Sequence, residues 1–353
     1  MRDKDLGQTR LGRGAMRDES SARTLILAEV GSVHDGSFGN AKCLIDLAAE
    51  CGADGVKLQT HMAEAETLRE APSPAHFQAE SRYEYFERLS FTPGQWAELR
   101  VHCEMRGVEF LSSPFSEEAV DLLETVGIGR YKIPSGEVTN IPLLERVART
   151  GKPVLLSSGM SSWGELDRAV EAILHYHDRL TLLQCTSQYP CPYERVGLNV
   201  MLEMRERYKL PVGLSDHTLT AYASLAAVAL GASVIERHIT FSRKMYGSDA
   251  RHALEPAEFS YLVQGIRAIE TMIANPVDKD DTEPLRATRE VFQKSLVSLV
   301  RIPEGVTITQ EMIGIKKPGH GLPPYRRAEL LGRRAARDIP AHRVIVEEDI
   351  EWS

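Results

Sequence analysis

The sequence predicts an α/β fold, a (β/α)8 TIM barrel followed by a small C-terminal β-rich domain, and three observations carry that reading. Eight short apolar segments alternate with longer stretches of helical periodicity, the pattern of a parallel sheet joined by helices. Nearly every one of these segments starts apolar and ends in charged, hydroxyl or imidazole side chains, as barrel strands do where they open into an active-site mouth. The chain has 353 residues, and a barrel of roughly 250 would leave room for one small companion.

Residues 1–23 are rich in Arg, Asp and Gly without an apolar run, and read as a flexible leader rather than a secretory signal. The barrel is expected over 24–274, with strands at Leu25 to Gly31, Gly55 to Thr60, Val108 to Pro114, Arg130 to Gly136, Pro153 to Gly159, Leu180 to Ser187, Pro211 to Thr218 and Ser233 to Thr240. Their polar ends are Glu29; Lys57 and Gln59; Ser112 and Ser113; Ser135 and Glu137; Ser157 and Ser158; Thr186 and Ser187; Ser215, Asp216 and His217; and Glu236 with His238. Between them, Ala41 to Cys51 places Leu44, Leu47 and Ala48 at helical spacing, with Gly52 as a stop. Similar patterns predict helices at Pro93 to Arg106, Glu117 to Val126, Trp163 to His175, Thr220 to Leu230 and Glu258 to Ile273. The polar stretch 275–290 reads as a linker, and 291–353 as a domain of short β-like runs punctuated by Gly and Pro. A unit that small is expected to dock on the barrel or on a second subunit.

Composition narrows the function. A hydrophobic share of 42% and a charged share of 26% are ordinary globular usage. A net charge of −8 speaks against a general nucleic-acid or anionic-membrane binder, so any phosphate site must be built locally. No run approaches the ~18 apolar residues of a membrane span. Cys43, Cys51, Cys103, Cys185 and Cys191 are odd in number and hold no C-x-x-C pair, so they read as reduced thiols in a cytoplasmic protein.

His217 and His238 end adjacent strands, which lie ~4.8 Å apart, so the two imidazoles are placed to share a divalent ion, Mn²⁺ or Mg²⁺, or else to bind substrate hydroxyls. Lys57 and Lys132, flanked by Ser113, Ser135, Ser157 and Ser215, form either a phosphate cradle or salt bridges to Glu29, Glu137 and Glu236. One of these three carboxylates is expected to move protons; the spacing does not choose among them. His34, His61, His252 and His320 are weaker candidates for substrate contact.

Taken together, AEVGSVHDG, GADGVKLQTH, FLSSPFS, YKIPSGE, LLSSGMSS, LLQCTSQYP, GLSDHT and IERHIT resemble the sialic acid synthase (N-acetylneuraminate synthase) family. The tail IKKPGHGLPP is similar to that family's antifreeze-like (SAF) domain, and the resemblance runs in order from about residue 24 to the end. It implies a transferase that adds phosphoenolpyruvate to the open-chain aldehyde of an N-acylated hexosamine, giving a nine-carbon 2-keto acid and phosphate. By position, Lys57, Ser113, Lys132, Ser135, Ser157, Ser187 and Ser215 would hold phosphoenolpyruvate, and His217 and His238 the metal. Glu29, Gln59, Tyr189, Glu236 and Asp249 would face the sugar, with Glu29 and Glu137 serving the proton and water steps. The family's domain-swapped homodimer would bring Lys317 to the N-acyl end of the sugar.

Lys317 stands where many bacterial members have Arg, Val33 where many have Asn, and Ser187 where several have Asn. These departures imply a modified acceptor, such as a diacetamido-dideoxyhexose leading to a legionaminic- or pseudaminic-type acid. The competing expectations are a 3-deoxy-ulosonate synthase acting on a phosphorylated aldose and a non-catalytic sugar-binding homologue.

Overall fold

The structure is a computed structural model that describes residues 23–72 and 80–352. All but Arg23 of the expected leader lies outside the described residues. The chain divides into two compact units, residues 1–275 and 276–353.

In the first unit eight parallel strands close a barrel in sequence order. They are β1 Leu25–Glu29, β2 Gly55–Thr60, β3 Glu109–Pro114, β4 Tyr131–Ile133, β5 Val154–Ser157, β6 Leu180–Cys185, β7 Val212–Ser215 and β8 Val234–His238. The helices are α1 Phe38–Glu50, α2 Ala63–Glu66, α3 Arg82–Leu89, α4 Pro93–Met105, α5 Glu117–Val126, α6 Ile141–Ala148, α7 Trp163–Leu174, α8 Leu198–Tyr208, α9 Tyr222–Ala229 and α10 Pro256–Ala274. Most strands stop short of their expected C-terminal ends, because the polar residues there leave the ladder and turn into the loops of the mouth. The region expected as the end of the fourth strand is a 3-10 turn, Ser135–Glu137. Helix starts follow local chemistry: Ser81, Thr92 and Ser162 each complete a capping box with the residue three positions on.

Alternation along the strands sorts the side chains into two layers. Leu27, Leu111, Leu155, Leu183 and Val234 point inward and pack into a small apolar plug below the mouth. Ile26, Ala28, Val56, Leu58, Phe110, Ile133, Leu156, Leu214 and Ile235 point outward and pack under the helices, in the larger core. The inner layer needs two glycines to close, Gly55, where a Cβ would lie 2.9 Å from both Leu111 Cδ1 and Leu27 Cδ2, and Gly213. A Cβ on Gly213 would lie 2.3 Å from the Val234 carbonyl oxygen and 2.7 Å from Leu183 Cδ2. Gly213→Ala is therefore expected to destabilise the barrel by about 1–3 kcal/mol. An unshifted thermal midpoint would show that the strands spread to admit the methyl group.

The second unit has two antiparallel pairs, β9 Ser295–Ser298 with β10 Ile313–Lys316, and β11 Arg334–Ala335 with β12 Ile350–Glu351. Its own core gathers Leu296, Ile302, Ile308, Ile313, Leu322, Leu330, Ile339, Ile345 and Ile350. The segment expected as a linker carries a 3-10 turn, Glu283–Leu285, and a short helix, α11 Arg286–Phe292; a further short helix, α12 Arg327–Leu330, lies later in the unit. Among the described residues no helix is long and apolar enough to cross a membrane.

Candidate active site

The C-terminal ends of the strands surround a cavity of about 700 Å³. Glu29, Lys57, Gln59, Lys132, Ser135, Ser157, Ser187, Tyr189, Ser215, His217, Glu236, His238 and Asp249, all singled out in the sequence, line it. Period-two alternation explains the set: Leu27 and Glu29, Leu155 and Ser157, Leu183 and Cys185, and Val234, Glu236 and His238 are inward pairs or triples that pass from plug to cavity. The same alternation takes Ser112 and Asp216, expected at the mouth, to the outside of the sheet. There Ser112 bonds to Thr60 Oγ1 at 2.7 Å and Asp216 meets Arg237.

Four buried charges form the base of the cavity. Lys57 Nζ lies 2.8 Å from Glu29 and 3.9 Å from Glu236, while Lys132 Nζ lies 3.5 Å from Glu236. The phosphate-cradle and salt-bridge readings are thus not exclusive, since the lysines pair with these carboxylates while lining the cavity. The two carboxylates are driven apart electrostatically. Burial pushes Glu29 up to about 7 against the pull of Lys57. Burial also acts to raise Glu236, but Lys132, Lys57 and the Ser215 hydroxyl hold it at about 2. Lys132 is lowered by burial, whereas Lys57 is raised because Glu236 and Glu29 outweigh its desolvation.

Hydroxyls stand around this cluster. Ser215 Oγ donates to Glu236 at 2.9 Å, and Ser113, beneath the cavity lining, accepts from Lys57 at 3.4 Å. Ser157 Oγ and Glu236 Oε2 are buried without a hydrogen-bond partner among the described residues, which a bound ligand would supply. Gly159 N donates to Ser135 Oγ at 3.0 Å, and a Cβ there would lie 2.6 Å from Ser135 Oγ and 2.4 Å from Ser187 Oγ. Gly159→Ala is expected to raise the KM of an anionic substrate by roughly tenfold or more, through displaced hydroxyls, with little change in melting temperature. Steady-state kinetics beside a thermal scan checks this.

Two residues beyond Ser215 and Glu236 come His217 and His238, with ring centroids 5.7 Å apart. His217 Nδ1 lies 3.0 Å from the Thr186 carbonyl oxygen, which leaves its Nε2 for a ligand. His238 Nδ1 is buried without a hydrogen-bond partner among the described residues. Neutral imidazole nitrogens are donors that suit a divalent ion; among the described residues no group of three or more His, Cys, Asp or Glu is placed to hold one, so an ion at this pair would need water or substrate oxygens to complete its shell. Tyr189 covers His217, ring centroids 4.2 Å apart. Asp249 Oδ2 accepts from Ser32 N and Oγ, both at 2.8 Å, and Gly31 leaves room for that carboxylate, since a Cβ would lie 2.4 Å from it.

Glu137, by contrast, is absent from the cavity lining; it accepts from Asn140 Nδ2 at 2.7 Å, and burial raises its carboxyl. Val33 is fully buried in the outer core, so its departure from the family pattern does not reach the cavity. Lys317 belongs to the second unit, where its ammonium sits 5.0 Å from the Phe292 ring centre. His252 and His61 line the cavity, whereas His34 packs on Phe91 and is pushed by burial down to about 4.

The sequence names His61 as a candidate but gives no site signal for Cys185, Phe86, Phe115, Arg82, Tyr246 or Arg251, which also line the cavity. Cys185 lies 3.9 Å from His217 Nδ1; burial opposes its ionisation, but His217, Ser135 and Lys132 bring it down to about 7. His61 is sandwiched between Phe86 and Phe115 at 4.0 and 4.1 Å, and bonds to Glu66 and Gln59. Gln59 then donates to Glu29 at 2.8 Å. Arg82, Tyr246 and Arg251 complete the rim. Extending the polar-end rule to a thiol would have found Cys185; the rim residues come from long loops that carry no period.

Comparison with known proteins shows what the chain is similar to. A model of the NeuB family matches residues 44–278, and one of the SAF domain matches 293–351. The chain is 36% identical over 333 residues to the N,N'-diacetyllegionaminic acid synthase of Campylobacter jejuni, covering 92% of this chain and 99% of that protein. It is 34% identical over 333 residues to the N-acetylneuraminate-9-phosphate synthase of Homo sapiens, covering 92% of each. Among solved structures, the spore coat polysaccharide biosynthesis protein spsE of Bacillus subtilis matches with a TM-score of 0.64 at 30% identity, over 94% of this chain and 96% of that one.

Proposed function

The chain belongs to the NeuB family, and on that premise we propose that it condenses phosphoenolpyruvate with an N-acylated hexosamine to give a nine-carbon 2-keto acid and phosphate. One observation carries the proposal: a single cavity is lined by a buried two-lysine, multi-hydroxyl cluster and by a pair of imidazoles whose ring centres are 5.7 Å apart.

In this reading Lys57 and Lys132, with Ser135, Ser157 and Ser215, bind the phosphate and carboxylate of phosphoenolpyruvate and fix its enol. His217 and His238 would hold a divalent ion, whose chemistry is to polarise the sugar aldehyde. The enol C3 forms the new bond to that aldehyde carbon, water adds at C2, and the C2–O bond to phosphate breaks, so one water enters and one phosphate leaves. Glu236, held ionised by two lysines, steadies positive charge developing at C2. Glu29, pushed up to about 7, can carry a proton at neutral pH and give it to the alkoxide formed from the aldehyde. Glu29→Gln is expected to keep phosphoenolpyruvate binding and to lower kcat by roughly a hundredfold; an unchanged kcat would move the proton step to another group.

The acceptor proposed is a diacetamido-dideoxyhexose, on the strength of the legionaminic acid synthase relative. A cytoplasmic setting, suggested by five free thiols, and a homodimer that lets Lys317 reach a sugar belong to the same proposal. The test is phosphate release from phosphoenolpyruvate by metal-stripped protein with Mn²⁺ or Mg²⁺ restored, across diacetamido-dideoxyhexose, N-acetylmannosamine, its 6-phosphate and unacylated aldose phosphates. Turnover of N-acetylmannosamine alone would reject the modified sugar. Turnover of an aldose phosphate alone would favour a 3-deoxy-ulosonate synthase, and binding without release a sugar-binding protein.

A further inference from the structure

The most completely buried ion pair in the barrel has no part in the chemistry above. Asp216 and Arg237 follow Ser215 and Glu236 on β7 and β8 and point outward, and each directly precedes one of the two imidazoles, His217 and His238. Both side chains are 1% exposed and form a salt bridge behind the sheet. The β7–β8 register ends with Ser215 opposite Glu236, followed by a last backbone bond from Asp216 N to Glu236 O at 3.0 Å. Past that point the guanidinium replaces the ladder. Arg237 donates to the carbonyl oxygens of Thr218 at 2.6 Å and Thr220 at 3.1 Å, tying the segment after His217 to the strand that carries His238. Asp216 is fixed in turn by Thr218 N at 2.8 Å and by Ser224 Oγ, from α9, at 2.6 Å.

We propose that the Asp216–Arg237 pair is a positioning device that sets the separation and aim of His217 and His238, so that two protein ligands suffice for a divalent ion. The inference rests on the metal role assigned above. A third protein ligand would hold a loose site together; with only two, the geometry must come from outside the coordination sphere. Burial of the pair supplies it, since a planar fork with several fixed acceptors has one arrangement and a lysine in its place would not reproduce it.

The test measures Mn²⁺ affinity, by the electron paramagnetic resonance of free Mn²⁺, beside phosphoenolpyruvate affinity of the metal-free protein. The proteins are wild type, Arg237→Lys, and the double variant Arg237→Met with Asp216→Asn, which removes both charges together and so leaves no unpaired buried charge. Each variant is expected to bind Mn²⁺ at least about tenfold more weakly, with phosphoenolpyruvate affinity unchanged. A folded variant with wild-type Mn²⁺ affinity, or one losing both affinities equally, would overturn the inference and leave a purely structural pair. If neither variant folds, Ser224→Ala, which loosens Asp216 by one hydrogen bond, is judged by the same split. Absence of Mn²⁺ binding by the wild type would instead overturn the metal role, and this inference with it.

Discussion

Lys132→Met is expected to lower kcat/KM for phosphoenolpyruvate by roughly a thousandfold while the barrel stays folded. The two lysines of the base are not equivalent. Lys57 is held 2.8 Å from Glu29 and stays tightly protonated because Glu236 and Glu29 outweigh its burial. Lys132 has only the Ile133 carbonyl oxygen at 3.4 Å and Glu236 at 3.5 Å, and burial lowers it. Its ammonium is the less satisfied of the two and gains more from an incoming anion. Removing it acts twice in one direction: the anion loses a charge-assisted partner, and Glu236 keeps Lys57, at 3.9 Å, and the Ser215 hydroxyl to balance a carboxylate that now repels the substrate. Methionine fills much of the volume of the lysine stem, so the fold has little reason to fail. Steady-state kinetics in both substrates decides the matter, and a loss of less than tenfold would place the anion nearer Lys57.

What the sequence made legible follows from period. Strands with an apolar start and a polar end place Lys57, Ser157, Ser215, Glu236 and the imidazoles on one rim before any coordinates exist, because alternation and a parallel barrel leave no other face for them. The same rule separates Ser215 from Asp216, but only once the register is fixed, and Asp216 reads as a mouth residue until then. Helices with a clean stripe, such as Glu117–Val126, match their expected bounds. α6 and α8 were not singled out: the first has only eight residues, and the second mixes Met201 and Met204 with Glu and Arg and begins at a left-handed Gly197 rather than at a side-chain cap. The long excursion between β2 and α4 and the loop after β8 deliver Phe86, Tyr246 and Arg251 to the cavity. Their placement depends on long-range packing, which no local pattern encodes.

Mn²⁺ affinity is expected to fall about tenfold per pH unit on the acid side of neutrality, the slope of one competing proton, and to vanish in His238→Ala. Two ordinary imidazoles would compete with two protons. Here burial, with His217 and Lys57 nearby, pushes His238 down to about 4, so it is already neutral, the ligating form, throughout the range from mildly acid to neutral. His217 is shifted the other way: burial would lower it, but the Cys185 thiol, the Thr186 carbonyl oxygen and Glu236 raise it above its ordinary value of 6.5. As pH falls through that raised value, His217 binds a proton that the ion must displace, and affinity is lost with a slope of one. Cys185→Ser removes the main raising partner, so it is expected to move the onset of this loss to lower pH without changing the slope. Titration of Mn²⁺ at several pH values from mildly acid to neutral reads both effects. A slope of two would mean that His238 titrates normally, and flat affinity that the ion sits elsewhere. Mn²⁺ binding retained in His238→Ala would remove the imidazole pair from the proposed role, and the barrel mouth would then have to bring its aldehyde and enol together through the lysines and hydroxyls alone.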